Sequence, residues 1–149
     1  MIGLDTNILI YAHREEFPEH ARALKWVQSL ALGSFPWGLP VFSLGEFVRV
    51  VTHPRVFDPP SSFQAAIGAL NALASSPGLR ILNPGPGYPE HFAHAVSVSR
   101  ATGNLVFDAQ IAAVCREQGV SRLVTRDRDF SRFPWLQIID LDEDPAAFC

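Results

Sequence analysis

Four acidic residues stand at the boundaries between short apolar segments and the elements that follow them. Asp5 comes directly after the first apolar segment and Asp127 after a later one, while Glu46 and Asp108 lie near the starts of apolar helical segments. In a parallel sheet, the ends of the strands and the starts of the helices that follow them lie at one edge. We therefore expect these four carboxylates to converge at that edge.

The position of Asp5 indicates that the site needs a cation. Asp5 interrupts the apolar run MIGLDTNILIYA, where an ionised acid is costly unless it is compensated, and no obvious basic partner lies within reach in the sequence. Several carboxylates in one cleft also raise each other's pKa unless a cation neutralises them. Oxygen ligands without cysteine or clustered histidine favour Mg²⁺, with Mn²⁺ as a substitute. Such an ion can activate water and stabilise the charge of phosphodiester attack.

Three of the acids also have an ordinary structural explanation. Ser43 and Glu46 have the spacing of a capping box, in which Glu46 only satisfies a backbone N–H. Asp108 near a helix start gains from the helix dipole, and Asp127 can close a turn through nearby backbone groups. Taken singly, these explanations are favoured, and only the four acids together favour a metal site.

The elements that must position these acids alternate along the chain, with short apolar strands separated by helices of about ten to fifteen residues. This order predicts an α/β fold class with a mainly parallel central sheet that helices cover on both faces. Strands are predicted at residues 2–5, 41–42, 79–82, 121–125 and 136–141, and helical segments at 7–12, 19–32, 43–51, 63–76, 89–103 and 106–119.

Length and composition predict one domain over residues 1–149, since 48% of the residues are hydrophobic and 18% are charged. No apolar run approaches the roughly 18 residues of a membrane span, so a cytoplasmic protein without membrane contact is expected. A net charge of −3 argues against a broadly basic nucleic-acid surface. Cys115 and Cys149 are interpreted as free thiols. The aromatic segment 35–40 is interpreted as core packing, with a partner surface as the alternative.

Four segments of the chain resemble those of PIN-domain ribonucleases, in particular the toxins of the VapBC toxin–antitoxin type (the VapC family). They are LDTNILIYA at residues 4–12, SLGEFVRV at 43–50, GNLVFDAQIAA at 103–113 and LVTRDRDF at 123–130. The resemblance covers nearly the whole chain in order and spacing. It implies a three-layer α/β/α PIN-like domain, Mg²⁺- or Mn²⁺-dependent cleavage of RNA that leaves a 5′-phosphate, a homodimer, and a small VapB-type antitoxin whose tail occupies the cleft.

The resemblance also implies roles for individual residues. An acidic quartet of the family holds the metal and takes part in catalysis, while supporting residues orient the first acid, the metal-bound water or the substrate phosphate. In this chain the quartet corresponds to Asp5, Glu46, Asp108 and Asp127, and the supporting residues correspond to Thr6, Asn7 and Thr125.

The segment TRDRDF offers two candidates for the fourth acid, Asp127 and Asp129. If the segment stays extended, the two side chains share a face, whereas in a turn we expect only one of them to reach the metal. The T-x-D pattern of the family favours Asp127. Asp129 is therefore interpreted as a supporting or turn residue.

Two other functions stay open from the sequence. A phosphatase of the haloacid dehalogenase type also places an aspartate after its first strand, but its chemistry requires a second acid two residues later, where this chain has Asn7. The single lysine, Lys25, is also out of place for that class. The other alternative is a catalytically silent PIN scaffold that binds RNA or a protein, against which the presence of all four acids argues.

Overall fold

The computed structural model describes residues 1–148, and over that range the chain forms five strands and six α-helices. Cys115 is a buried free cysteine, as predicted, whereas the predicted free thiol of Cys149 lies outside the described residues. The strands are β1 (Ile2–Leu4), β2 (Trp37–Pro40), β3 (Leu79–Leu82), β4 (Arg122–Val124) and β5 (Gln137–Ile139), and the helices are α1 (Thr6–His13), α2 (His20–Leu32), α3 (Val41–Val51), α4 (Phe63–Ala74), α5 (Tyr88–Ser99) and α6 (Leu105–Glu117).

The strands of residues 1–148 pair in the order β3-β2-β1-β4-β5, and every pairing is parallel. β1 is the central strand, with Ile2 opposite Trp37 on one side and opposite Arg122 on the other. All strands therefore end at the same edge of the sheet. Asp5 follows β1 and Thr125 follows β4 at that edge, so residues about 120 positions apart become neighbours.

Two apolar clusters cover the two faces of the sheet. Neighbouring residues of a strand point to opposite faces, and in β4 Leu123 packs into one cluster while Val124 packs into the other. Helices α1 to α4 contribute to the cluster that contains Val124, and α5 and α6 contribute to the cluster that contains Leu123. The predicted three-layer α/β/α architecture is therefore confirmed.

The predicted strand at residues 41–42 is wrong, because β2 is Trp37–Pro40 and α3 begins directly after it at Val41. Glycine and proline are typical turn residues, so the sequence WGLP was predicted as a turn. All four of its residues are nevertheless buried in the strand. A Cβ at Gly38 would lie 2.9 Å from Leu82 Cδ1 on the neighbouring strand, so the Leu82 side chain would have to shift to accommodate it. Pro40 is the last residue of β2, so it does not interrupt the sheet.

The aromatic segment 35–40 divides between core and surface. Trp37 and Leu39 are fully buried, and the Trp37 indole N–H donates to Ser76 Oγ at 3.1 Å, so the core interpretation is confirmed for them. Phe35, which precedes the strand, is 61% exposed.

Most other predicted elements agree with the structure within a few residues, and the helix ends have local causes. Gly119, the predicted stop of α6, has a φ of +72°. The helix predicted over 89–103 ends at Ser99, earlier than expected, because Arg100 adopts the left-handed conformation with φ 54°. No helix within residues 1–148 combines the length and apolarity that crossing a bilayer requires.

Candidate active site

Asp5 occupies the first position beyond β1 and is almost fully buried, with 4% of its surface exposed. Its backbone N–H donates to the carbonyl of Val124 at 3.1 Å, which extends the sheet pairing by one residue. Its carboxylate accepts a hydrogen bond of 2.7 Å from the hydroxyl of Thr125. The pKa of Asp5 is raised to about 7, mainly by burial and also by the nearby carboxylates of Glu46 and Asp127, while the Thr125 hydrogen bond opposes the rise. Within residues 1–148, a hydroxyl group therefore supports the Asp5 carboxylate, and no basic side chain forms an ion pair with it.

Thr125 connects two of the acids. Its hydroxyl donates to Asp5 and accepts the backbone N–H of Asp127 at 2.9 Å. The carboxylate of Asp127 in turn accepts a hydrogen bond of 2.8 Å from the N–H of Asp129, which caps the start of the 3₁₀-helix Arg128–Arg132. One buried hydroxyl thus fixes the end of β4 against the end of β1.

Glu46 lies in α3, and the capping-box interpretation of this residue is wrong. Because α3 begins at Val41, Ser43 is a buried residue inside the first turn. The hydroxyl of Thr6 lies 2.9 Å from Ser43 Oγ and 3.0 Å from Glu46 Oε2. A carboxylate only accepts hydrogen bonds, so the Thr6 hydroxyl donates its proton to Glu46. Thr6 therefore orients Glu46 as Thr125 orients Asp5.

Asp108 lies in the first turn of α6, where the helix dipole favours a negative charge. Its pKa is nevertheless raised to about 7, mainly by burial and then by the carboxylates of Asp127, Asp5, Asp129 and Glu46, in that order. Four other carboxylates thus lie close enough to Asp108 to disfavour its ionisation.

Three of these acids come closest together. One carboxylate oxygen each from Asp108, Asp127 and Asp129 lies within 4.8 Å of the others. The chain does turn after Asp127, yet both Asp127 and Asp129 belong to this group, so the expectation that only one of them reaches the metal stays a prediction. The 3₁₀-helix brings Asp129 back to the side of Asp127, although Asp129 also forms an ion pair of 3.3 Å with Arg132.

The acids line one open cavity of about 790 Å³ at the carboxyl edge of the sheet. Thr6 and Thr125 contact the carboxylates from behind, while Asn7 lines the cavity itself. Sequence reasoning missed several lining residues, which in the sequence look like ordinary exposed positions of α3 and α6. The predicted residues that line the cavity are Asp5, Asn7, Glu46, Asp108, Asp127 and Asp129, and the missed ones include Phe42, Arg49, Asn104, Phe107 and Gln110.

The donor set fits a hard divalent cation. The ligand atoms that Asp108, Asp127 and Asp129 bring together are carboxylate oxygens, which Mg²⁺, Mn²⁺ and Ca²⁺ prefer. A cation among them would lower the raised pKa values of Asp5 and Asp108, since a nearby positive charge favours the ionised acid. The arrangement is that of a metal-dependent hydrolase domain built on a parallel sheet.

Comparison with known proteins identifies the family. The PIN-domain profile matches residues 2–136. A VapC ribonuclease of Mycobacterium bovis is 40% identical over 133 residues, which is 89% of this chain and 90% of the relative. Ribonuclease VapC31 of Mycobacterium tuberculosis is 32% identical over 133 residues, which is 89% of this chain and 93% of the relative. The chain therefore belongs to the PIN-domain family, among the VapC ribonucleases, and the phosphatase alternative is set aside.

Solved structures agree with this fold. VapBC2 from Rickettsia felis, bound to a fragment of its promoter DNA, superposes with a TM-score of 0.67 at 21% identity, covering 94% of this chain and 98% of the other. The Mycobacterium tuberculosis toxin VapC20, described as cleaving the sarcin–ricin loop, superposes with a TM-score of 0.65 at 19% identity, covering 88% and 93%. At these identities the likeness concerns the fold.

Proposed function

We propose that the chain is a metal-dependent endoribonuclease and the toxin component of a type II toxin–antitoxin system. The observation that carries the proposal is the group of five carboxylates around one cavity, with the pKa values of Asp5 and Asp108 raised to about 7. A cluster of this kind has little structural use without a cation. The relatives that are 40% and 32% identical are named ribonucleases, which supports RNA as the substrate.

Asp5, Glu46, Asp108 and Asp127, which all line the cavity, would hold the cation, with Asp129 as a supporting residue. Mg²⁺ is the ion we propose, with Mn²⁺ as a substitute. When bound, a divalent cation lowers the pKa of water and stabilises the charge that develops in phosphodiester attack.

The chain's own residues prepare this site. Thr125 holds one oxygen of Asp5, Thr6 holds one oxygen of Glu46, and the remaining carboxylate oxygens stay available to the cavity. Asn7 offers a neutral amide beside Asp5, suited to a substrate phosphate.

Cleavage of total cellular RNA by the purified protein tests enzyme class and substrate together. We expect cleavage in Mg²⁺ or Mn²⁺, none in EDTA, and 5′-phosphate ends when the products are mapped. Asp108→Asn should abolish cleavage without changing the circular dichroism spectrum. Asp144→Asn, which changes an exposed acid outside the cavity, is the matched control and should cleave like the wild type.

Cleavage at the full rate in EDTA would refute the proposal of a metal-dependent ribonuclease. RNA binding without cleavage would instead favour the catalytically silent scaffold. A scaffold need not bind Mn²⁺, whereas the proposed site should gain about 2.7 kcal/mol of stability at a Mn²⁺ concentration of a hundred times the Kd.

We further propose a homodimer that a small VapB-type antitoxin inhibits, acting in the cytoplasm, where cellular RNA is available. Similar structures include VapBC complexes, which supports the antitoxin. Residues of α1, α2 and α4 line an apolar groove of about 410 Å³, among them Leu9, Val27 and Leu73. Leu32, which also lines it, is 85% exposed. Such a groove suits the apolar face of a partner helix. Light scattering of the protein, alone and with the antitoxin, tests both assemblies.

A further inference from the structure

The wall of the cavity carries an exposed aromatic ring that neither the core nor the carboxylate cluster uses. Phe107 lies in the first turn of α6, is 60% exposed and lines the cavity. The other phenylalanine that lines the cavity, Phe42 of α3, is half-buried and packs on Tyr88 with ring centroids 6.0 Å apart. Phe107 therefore offers ring surface to a ligand in the cavity.

Helix geometry sets what lies around this ring. Phe107 directly precedes Asp108, and neighbouring Cα atoms are about 3.8 Å apart. Asn104 stands three positions before Phe107 and Gln110 three positions after it, so the two amides flank the ring, and both line the cavity. A flat group on Phe107 would therefore lie between two amides, in the cavity that the carboxylates also line.

We propose that Phe107 is the stacking platform for an unpaired RNA base next to the phosphate that is cleaved. The inference rests on the proposed ribonuclease function and adds a base-binding subsite to it. Proteins recognise single-stranded RNA by stacking splayed bases on aromatic rings and by hydrogen bonds to the base edges. The amides of Asn104 and Gln110 each offer an acceptor and two donors for such an edge.

The opposite wall of the cavity favours a nucleotide over an apolar peptide as the occupant. Arg49, on α3, is exposed, lines the cavity and forms no ion pair with a carboxylate of residues 1–148. A guanidinium group binds a phosphate through two parallel hydrogen bonds. Ring, amides, guanidinium and the acidic cation site therefore match the base, the base edge, a flanking phosphate and the reacting phosphate of one RNA segment.

Phe107→Ala tests the platform, with Phe107→Trp as the conservative variant. Phe35→Ala is the matched control, because Phe35 is 61% exposed and lies outside the cavity. The probe is a set of single-stranded RNAs, each with 2-aminopurine at a different position, because stacking quenches the fluorescence of this base. Binding is measured in Ca²⁺. We expect one strongly quenched position in the wild type, loss of that quench in Phe107→Ala, and a Kd raised about 5- to 150-fold, the range for removing one stacking aromatic.

Cleavage assays in Mg²⁺ give the second readout: Phe107→Ala should raise KM by a similar factor with little change in kcat, and Phe107→Trp should restore both quench and KM.

An unchanged quench and Kd in Phe107→Ala, or an equal loss in Phe35→Ala, would overturn the platform and leave the ribonuclease proposal standing. If Phe107→Ala weakens binding of a VapB-type antitoxin and leaves RNA binding unchanged, the ring is a protein contact and the inference is wrong. If the wild type binds the probe but cleaves no RNA, the ribonuclease proposal fails, and the quench still decides the platform.

Discussion

Replacing Asp5 with asparagine should make the metal-free protein more stable, and the gain should depend on pH. Burial raises the pKa of Asp5 to about 7, whereas the unfolded chain has the ordinary value of 3.8. Between these values the folded protein holds a proton that the unfolded chain has released, so raising the pH favours unfolding. With respect to this group, stability is highest below pH 4, falls as the pH rises to about 7, and is constant above.

The size of the effect follows from the two pKa values. A tenfold change in proton affinity is worth about 1.4 kcal/mol, so the difference between 3.8 and about 7 destabilises the folded wild type by about 4 kcal/mol at pH 8. At pH 5 the same calculation gives about 2 kcal/mol. Asparagine keeps the shape of the side chain and an oxygen that can accept the 2.7 Å hydrogen bond from Thr125, but it cannot ionise. Asp5→Asn should therefore raise the free energy of unfolding, and by more at pH 8 than at pH 5.

Urea denaturation in EDTA at pH 5 and pH 8 measures this difference. Asp144→Asn is the control, because the N–H of Ala146 and then Lys25 lower the pKa of this exposed acid, and its replacement should bring no gain. Adding Mn²⁺ should stabilise the wild type and have little effect on Asp5→Asn. The reasoning is refuted if Asp5→Asn is less stable than the wild type at pH 8, or if its gain is the same at both pH values.

The two further predictions concern the groups around Asp5. Thr125→Val should lower the free energy of unfolding by about 1–3 kcal/mol, because it removes the donor to Asp5 and the acceptor for the N–H of Asp127. Thr125→Ser should keep both hydrogen bonds. Equal urea midpoints for the two variants would contradict this prediction. Asp127→Asn should weaken Mn²⁺ binding, measured by calorimetry, more than Asp129→Asn does, because Asp129 is exposed and already paired with Arg132. A larger loss in Asp129→Asn would reverse that order.

The convergence of the acids could be predicted from the sequence because it depends on topology alone. In a parallel sheet the carboxyl ends of neighbouring strands meet, whatever the lengths of the connections between them. Asp5 follows β1 and Asp127 lies just beyond β4, and these two strands are paired in register. To predict this part of the site, it was therefore enough to assign two strands and their parallel direction.

The start of α3 could not be predicted in the same way. Gly38 and Pro40 are turn residues by local preference, and pairing of β2 with β1 and β3 overrides that preference by burying Trp37 and Leu39. The error of a few residues at this helix start made Glu46 look like a capping residue. Only the contact with Thr6, 40 positions away, identifies its actual hydrogen-bond partner.

Arg49, Asn104 and Phe107 were missed for a different reason. Each occupies an exposed position at or next to a helix, and helical periodicity separates exposed positions from buried ones without saying what an exposed side chain faces. That depends on how α3 and α6 lie against the sheet edge, which is a matter of tertiary packing. Arg49 lies three positions after Glu46 and Asn104 lies four positions before Asp108. Residues three or four positions from a predicted acid on its helix are therefore a useful signal, because they share a helix face with it, whereas Phe107, directly before Asp108, does not follow this spacing.

The acid cluster works against the stability of the fold that carries it. Burial and mutual repulsion raise the pKa values of Asp5 and Asp108 to about 7, so at neutral pH the metal-free protein either binds protons there or bears unfavourable charge. A cation that binds the folded protein removes this cost, which links metal affinity to stability. At the proposed site, protons and the cation would compete for the same oxygens. Thr125 would shift this competition towards the cation, because its hydrogen bond favours the ionised form of Asp5.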